Sequence, residues 1–208
     1  MSVFEKAKNT LKEYKVPFLN AEFTIKDGKE RIRVIDTSDY KERFLPLQAC
    51  SSGIQSVLPL VMVIDYALQL DCFNAFVIEE PEQNLYPTNQ RELLQFLLKR
   101  IDKIQNAVIT THSPYILSCL NVALLAWRIY NEFEGGKTAI DAVYDGVCFT
   151  HDILAVYALD PDDDEYCKDL KDEKTHLIGM NNLDAVSDII GDEYDRLYRL
   201  YHKLKSGK

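Results

Sequence analysis

Basic residues are in deficit: 24 lysines and arginines stand against 33 acidic residues, for a formal charge of −9. That balance disfavours a broad electrostatic surface for nucleic acid on this segment and leaves room for a local basic patch. Cysteine is sparse and unpatterned. The five (Cys50, Cys72, Cys119, Cys148, Cys167) are odd in number and form no CxxC pair. They give no disulfide framework and read as reduced thiols, mostly buried, in a cytosolic protein. The opening residues Met1 to Lys6 lack the charged and apolar regions of a leader, and the longest apolar runs are expected to fall short of a membrane span. The expectation is a cytoplasmic, soluble chain with no membrane partner. No internal repeat or low-complexity linker is present. What is there is ordinary: 208 residues, 47% hydrophobic and 27% charged, the length of one domain with a real core.

Periodicity sets out the elements. Residues 3–15 have helical spacing and stop before Pro17. Ala21–Lys26 and Arg31–Asp36 read as strands joined by an Asp27-Gly28 turn. From Ser52 an apolar helix runs through Leu68, with Pro59 expected near its first turn, where a missing N–H is tolerated. Phe73–Ile78 and Ala107–Thr110 read as strands buried on both faces. Thr88–Lys103 is an amphipathic helix between them, and Pro114 opens another. This alternation argues for an α/β fold with a mostly parallel sheet and flanking helices. Beyond Leu124, Leu125–Tyr130, Ala139–Val143, Val147–Thr150 and Ile153–Leu159 read as strands, and Asn182–Leu204 as a closing amphipathic helix. The organisation expected is one domain, 1–208. Residues 1–48 lead in, 49–123 form a core, and 124–208 are strand-rich before the last helix.

Three segments carry chemistry. Ser51-Ser52-Gly53, with Gln55 one turn on, opens an apolar helix whose free N–H groups and dipole favour an anion. Taken alone it would be an ordinary serine cap. Glu79-Glu80 ends an apolar strand, and Pro81 forces the chain out of it. One carboxylate there can hold Mg²⁺ through water while its neighbour orients and deprotonates an attacking water. His112 follows a second apolar strand. On its own such a histidine would be a surface or capping residue.

Taken in order, Cys50-Ser51-Ser52-Gly53-Ile54-Gln55, Phe76-Val77-Ile78-Glu79-Glu80-Pro81-Glu82 and Val108-Ile109-Thr110-Thr111-His112-Ser113 resemble the signature motif, Walker B strand and switch histidine of ABC-type ATPases. The fold implied is P-loop NTPase-like. The string Glu79-Glu80-Pro81-Glu82-x-x-Leu85-x-Pro87 matches one branch, similar to RecF- and SMC-like proteins. Cys50 and Ser52 depart from the commoner leucine and glycine, and a serine in place of that glycine is familiar in the branch. The resemblance implies that Ser51, Ser52, Gly53 and Gln55 contact nucleotide across a dimer. It implies that Glu79 serves Mg²⁺ through water, that Glu80 is the catalytic base, and that His112 senses the γ-phosphate. Glu82 and Asn84 would sit in the D-loop. The stretch Glu165 to Ile190 resembles the C-terminal region of the OLD-related bacterial AAA/ABC-like ATPases found among phage-defence and restriction systems.

No phosphate loop accompanies these motifs. Gly135-Gly136-Lys137-Thr138 mimics the end of one, but Asn131 stands where its first glycine belongs, and a Gly-Gly hairpin turn is expected. The acidic run from Asp160 to Glu165 reads as a solvated loop between strands. The expectation is therefore an ATPase lobe lacking the Walker A lobe, inactive alone. It would use Mg²⁺ and ATP once joined to a Walker A-bearing subunit in a homo- or hetero-dimer across the signature face. Nucleic acid is possible for the full assembly but is not argued by this chain. A non-hydrolysing interaction module or degenerate remnant is the alternative, and a metal-dependent nuclease using Glu79, Glu80 and the acidic loop is the third reading.

Overall fold

The computed structural model describes all residues except 36–40, 71–74, 102, 104–105, 161–163, 180–181 and 206–208. The parts of expected elements at Asp36, Phe73, Asn74 and Asp102, the thiol of Cys72, and Asp162 and Asp163 of the acidic run lie outside those residues. The fold is mixed α/β, and the chain divides into two compact units, Met1–Thr111 and His112–Lys208.

The first unit begins with helix α1 (Val3–Leu11), capped by the Ser2 hydroxyl, which accepts from the Glu5 N–H. Four antiparallel strands follow in sequence order: β1 (Tyr14–Val16), β2 (Ala21–Lys26), β3 (Lys29–Ile35) and β4 (Glu42–Leu45). The β2–β3 hairpin turns at Asp27-Gly28 as expected, both with positive φ (52° and 70°), the geometry a two-residue turn of this hand requires. Register pairs Phe23 with Ile32 and Ala21 with Val34, so alternate residues enter the core.

Helix α2 (Ser52–Leu70) is the spine of that core. Its Val57, Leu58, Val61, Met62 and Ile64 are almost wholly buried among Ala7, Val16, Phe23, Ile32, Leu93 and Leu97. By length and composition α2 could cross a membrane, which corrects the expectation that no apolar run is long enough; here it is packed inside the unit. Pro59 is also placed differently: it lies in the helix interior, eight residues in. The Gln55 carbonyl therefore loses its usual partner, since proline has no N–H.

A polar clamp holds α2 to its neighbours. The Tyr14 hydroxyl donates to Asp65 at 2.5 Å, and Arg100 of α3 (Pro87–Ile101) grips the same carboxylate with two N–H groups. The Arg100 guanidinium also lies over the Phe96 ring, 3.3 Å from its centroid.

Strands β5 (Ala75–Glu79) and β6 (Asn106–Thr110) flank α3 in sequence and pair in parallel, Ala75 with Asn106 through Glu79 with Thr110. This is the parallel pairing expected, while the other described pairings are antiparallel. Burial on both faces does not hold. Ile78 is buried, but Val77 and Val108 are 71% and 57% exposed. Apolar runs look alike whether one face or two is covered, so periodicity could not separate the cases.

The second unit departs most from expectation. Helix α4 (Pro114–Glu132) absorbs Leu125–Tyr130, and α5 (Gly136–Val143) absorbs Ala139–Val143, both expected as strands. Ile116, Leu120, Ala123 and Leu124 recur at helical spacing and are buried, so α4 gains more from one continuous apolar stripe than its β-branched residues lose. Gly135-Gly136 joins the two helices rather than two strands. Gly135 caps α5 with φ 76°, and a Cβ on Gly136 would lie 1.9 Å from the Ile129 carbonyl oxygen. Val147–Thr150 is not a strand, and only Tyr157–Leu159 of the last expected strand forms β7.

β7 pairs with β8 (Cys167–Asp169), so the acidic run does connect two strands, and β9 (Lys171–Asp172) pairs with β10 (Leu177–Ile178). Asn121 of α4 grips β10 from its side chain, donating to the Ile178 carbonyl and accepting its N–H. Helix α6 (Asn182–Lys205) closes the chain. Of the described thiols, Cys50 is buried and Cys167 exposed, with Cys119 and Cys148 between, so burial of the cysteines is less general than expected. Burial pushes the Cys50 thiol pKa up.

Candidate functional site

Local backbone geometry builds the site at the end of β5. Glu79 is the last strand residue and is exposed. Glu80 then takes φ 42°, a conformation that costs a non-glycine residue about 1–2 kcal/mol. Its N–H is held by β6, donating to the Thr110 carbonyl at 3.0 Å, with the Thr110 hydroxyl at 3.3 Å. The Glu80 carboxylate accepts from the Gln83 side-chain amide at 2.5 Å. Pro81 stops the ladder, and the chain folds through two overlapping turns, Gln83 N–H to Glu80 and Leu85 N–H to Glu82. Asn84 completes the bend with φ 63°, which asparagine tolerates better than most residues.

Glu82 is buried at 7% exposure, and its Oε1 accepts from the Thr111 hydroxyl at 2.6 Å. A buried carboxylate needs such donors, because an unpaired one would be expensive. The 80–85 turn is thereby tied at Glu80 and at Glu82 to the β6 terminus.

The serine-glycine turn converges on this loop. A Cβ on Gly53 would lie 3.0 Å from the Asn84 carbonyl oxygen and 3.1 Å from the Leu85 side chain. Glycine is needed there for close approach to the protein's own loop. Ser51 and Ser52 are exposed beside it. Gln55 turns back onto the segment before the helix, its amide donating to the Cys50 carbonyl at 2.7 Å and to that of Gln48 at 3.3 Å. In this arrangement it braces the turn.

Ser51, Ser52, Gly53, Gln55, Glu79, Glu80, Glu82 and Asn84 thus all belong to the first unit. His112 is the opening residue of the second, two positions beyond β6, and is exposed. Ser113 caps α4, its hydroxyl accepting from the Tyr115 N–H. One open cleft of about 490 Å³, lined by Pro17, Phe18, Thr88, Asn89, Arg91 and Glu92, contains none of these residues.

Sequence reasoning passed over Thr110, Thr111 and Gln83, which position Glu80 and Glu82. The signal available was two threonines placed directly before the histidine, where a β-strand ends. For a divalent cation the exposed Glu79 carboxylate is a suitable oxygen donor. Among the described residues no group of three His, Cys, Asp or Glu side chains is placed to hold a metal.

A family model for the AAA ATPase domain matches residues 1–117. The chain belongs to that family. The matched part of this AAA ATPase domain includes the signature-like turn, both strands of the parallel pair and His112. No curated protein matches it. Among solved structures, the AAA ATPase domain is similar to a chain described in the words "ATP-driven dimerization and DNA stimulated activation of SMC ATPases". That chain is 9% identical, with 92% of each chain covered and a TM-score of 0.45. So loose a likeness has no bearing on function.

Proposed function

We propose that this chain is an ATP-hydrolysing lobe of the ABC-like type, contributing the signature turn, the water-activating carboxylate and the switch histidine. The phosphate loop would come from another segment or polypeptide. The observation that carries this reading is the seating of the Gly53 turn against Asn84 and Leu85, on the same short loop that Glu80 opens. One hydrogen-bonded loop then links the surface that would meet a partner's nucleotide to the carboxylate that would activate water.

In this reading Glu80 accepts a proton from the attacking water, and the hydrogen bonds to Thr110 fix its backbone for that task. Ser51, Ser52 and Gly53 would present hydroxyl and backbone donors to the γ-phosphate held by the opposite subunit. Glu79 would hold Mg²⁺ through water, and the ion when bound would neutralise charge on the phosphates. His112 would report the γ-phosphate. The OLD-like relation of the C-terminal region, a cytoplasmic setting and a role in bacterial defence belong to the same proposal. A phosphate loop supplies the lysine and most backbone donors that grip β- and γ-phosphates, and the sequence holds none.

The open face of β5–β6 supports the need for completion. Parallel strands are ordinarily covered on both faces, yet Val77 and Val108 remain exposed. The same face favours the second reading, a non-hydrolysing module that docks on a partner ATPase.

ATP binding and turnover by the chain alone, then mixed with a phosphate-loop-bearing polypeptide encoded beside it, separate the two. Turnover only on mixing, lost in Glu80→Gln, supports the split ATPase. Complex formation without turnover supports the docking module. Turnover by the chain alone would overturn the proposal.

A further inference from the structure

Helix α6 stands out from the rest of the second unit. Every described residue from Ile189 to His202 on it is exposed. Ile190, Tyr194, Leu197 and Tyr198 are 59%, 65%, 66% and 51% exposed, and they fall on one stripe of the helix. In sequence the stripe extends as a heptad pattern: Leu183, Ile190, Leu197 and Leu204 recur every seven residues, with Tyr194 and Tyr201 at the alternate positions. A solvated helix needs no such stripe.

Charge is divided along the same helix. Its first half, 182–193, holds Asp184, Asp188, Asp192 and Glu193 and no basic residue. Its second half, 194–205, holds Arg196, Arg199, Lys203 and Lys205 against the single Asp195. Two copies laid side by side in the same direction would set acid against acid and base against base. Laid in opposite directions, each acidic half meets a basic half.

Gly191 adds an independent mark. Glycine is a poor choice for a helix interior, and among the described residues nothing lies within 4 Å of where its Cβ would be, so no contact among them requires it. With the copies antiparallel and Tyr194 opposite Leu197 of the second copy, Ile190 falls opposite Tyr201. Gly191, flanking the seam, then falls opposite Tyr198. The gap it leaves accepts that ring.

We propose that α6 is an antiparallel pairing surface for a second copy of this chain, distinct from any nucleotide-dependent contact at the Gly53 turn. The stripe would bury roughly 600–700 Å² per copy, at the lower end of a standard interface. Such a dimer is expected to form in the micromolar range and without nucleotide.

Sedimentation equilibrium of the full chain, from about 1 to about 100 µM without ATP and with reductant to silence the exposed Cys167, tests this. The expected result is a monomer–dimer equilibrium that weakens several-fold as salt rises, because the attraction between unlike halves is screened. Leu197→Asp should weaken it at least tenfold while the thermal unfolding midpoint of the chain is preserved. Gly191→Gln should raise helicity yet weaken the dimer. A dimer that strengthens with salt would overturn the antiparallel arrangement. A monomer throughout, whether α6 then docks on its own chain or binds vesicles of anionic lipid, would overturn the proposal. So would a dimer indifferent to Leu197→Asp and Gly191→Gln. Wild-type dimerisation that persists when ATP turnover fails would leave this inference standing and the ATPase reading refuted.

Discussion

The Thr111 hydroxyl donates to Oε1 of Glu82 across 2.6 Å, joining the residue that follows β6 to a carboxylate buried in the turn after β5. The two residues are far apart in sequence, yet this bond fixes the loop on which Glu80 sits. Thr111→Val keeps the shape and removes the donor. We expect a loss of about 1.5–3 kcal/mol, the range for a hydrogen bond to a charged group, read as a lower urea midpoint with an unchanged slope. Thr111→Ser should recover most of it.

Gly53→Ala gives a sign that distinguishes two roles. In an unobstructed helix the change would stabilise by roughly 0.5–1 kcal/mol. The Asn84 carbonyl at 3.0 Å and the Leu85 methyl at 3.1 Å stand where the new methyl must go, so a net destabilisation of about 1–2 kcal/mol is expected instead. Thermal unfolding measures it, and a rise in midpoint would mean that the loop yields without resistance.

Gly136→Ala should be harsher. Its Cβ would meet the Ile129 carbonyl oxygen at 1.9 Å, and that oxygen belongs to α4 backbone, which cannot rotate away. A cost at the upper end of overpacking, about 3 kcal/mol, is expected, with hydrogen exchange of α4 and α5 accelerating first.

Tyr14 supplies a test in alkali. Burial pushes its phenol pKa well above the ordinary value, and the Asp65 carboxylate it donates to adds to the shift. A folded-state pKa raised in this way contributes stability that is fully present below the unfolded value of about 10 and is lost as pH rises beyond it. Stability of the wild type should therefore fall more steeply above pH 10 than that of Tyr14→Phe, as followed by denaturant midpoints. Parallel curves would mean that the phenol is accessible to base.

Much of the first unit was legible in the sequence because its signals are local. Asp27-Gly28 admits few backbones besides a tight hairpin, and Pro81 after two carboxylates ends a strand wherever it occurs. The candidate residues read from the three motifs did fall on a strand end, a helix start and a following turn. What could not be read was the tertiary part. Nothing local to Thr111 announces Glu82, and nothing in Val77 says that one face of its strand is open. In the second unit, Leu125 to Tyr130 satisfies a strand by composition and a helix by spacing. The Ser113 cap and the long stripe from Ile116 decide for the helix, and that decision depends on what the stripe packs against. Gly135-Gly136 misled for the same reason: positive φ suits a hairpin and a helix cap equally.

If Glu80 is the water-activating carboxylate proposed above, position 80 sets activity and folding at odds. A side chain at φ 42° costs the fold about 1–2 kcal/mol that glycine would recover. Glu80→Gly should therefore give a sturdier protein stripped of its carboxylate, while Glu80→Gln keeps the burden along with the shape. Any lineage of this chain released from chemistry has a one-step route to greater stability at that residue. On the proposed reading, the glutamate at this position is the chemistry's requirement set against an unfavourable backbone.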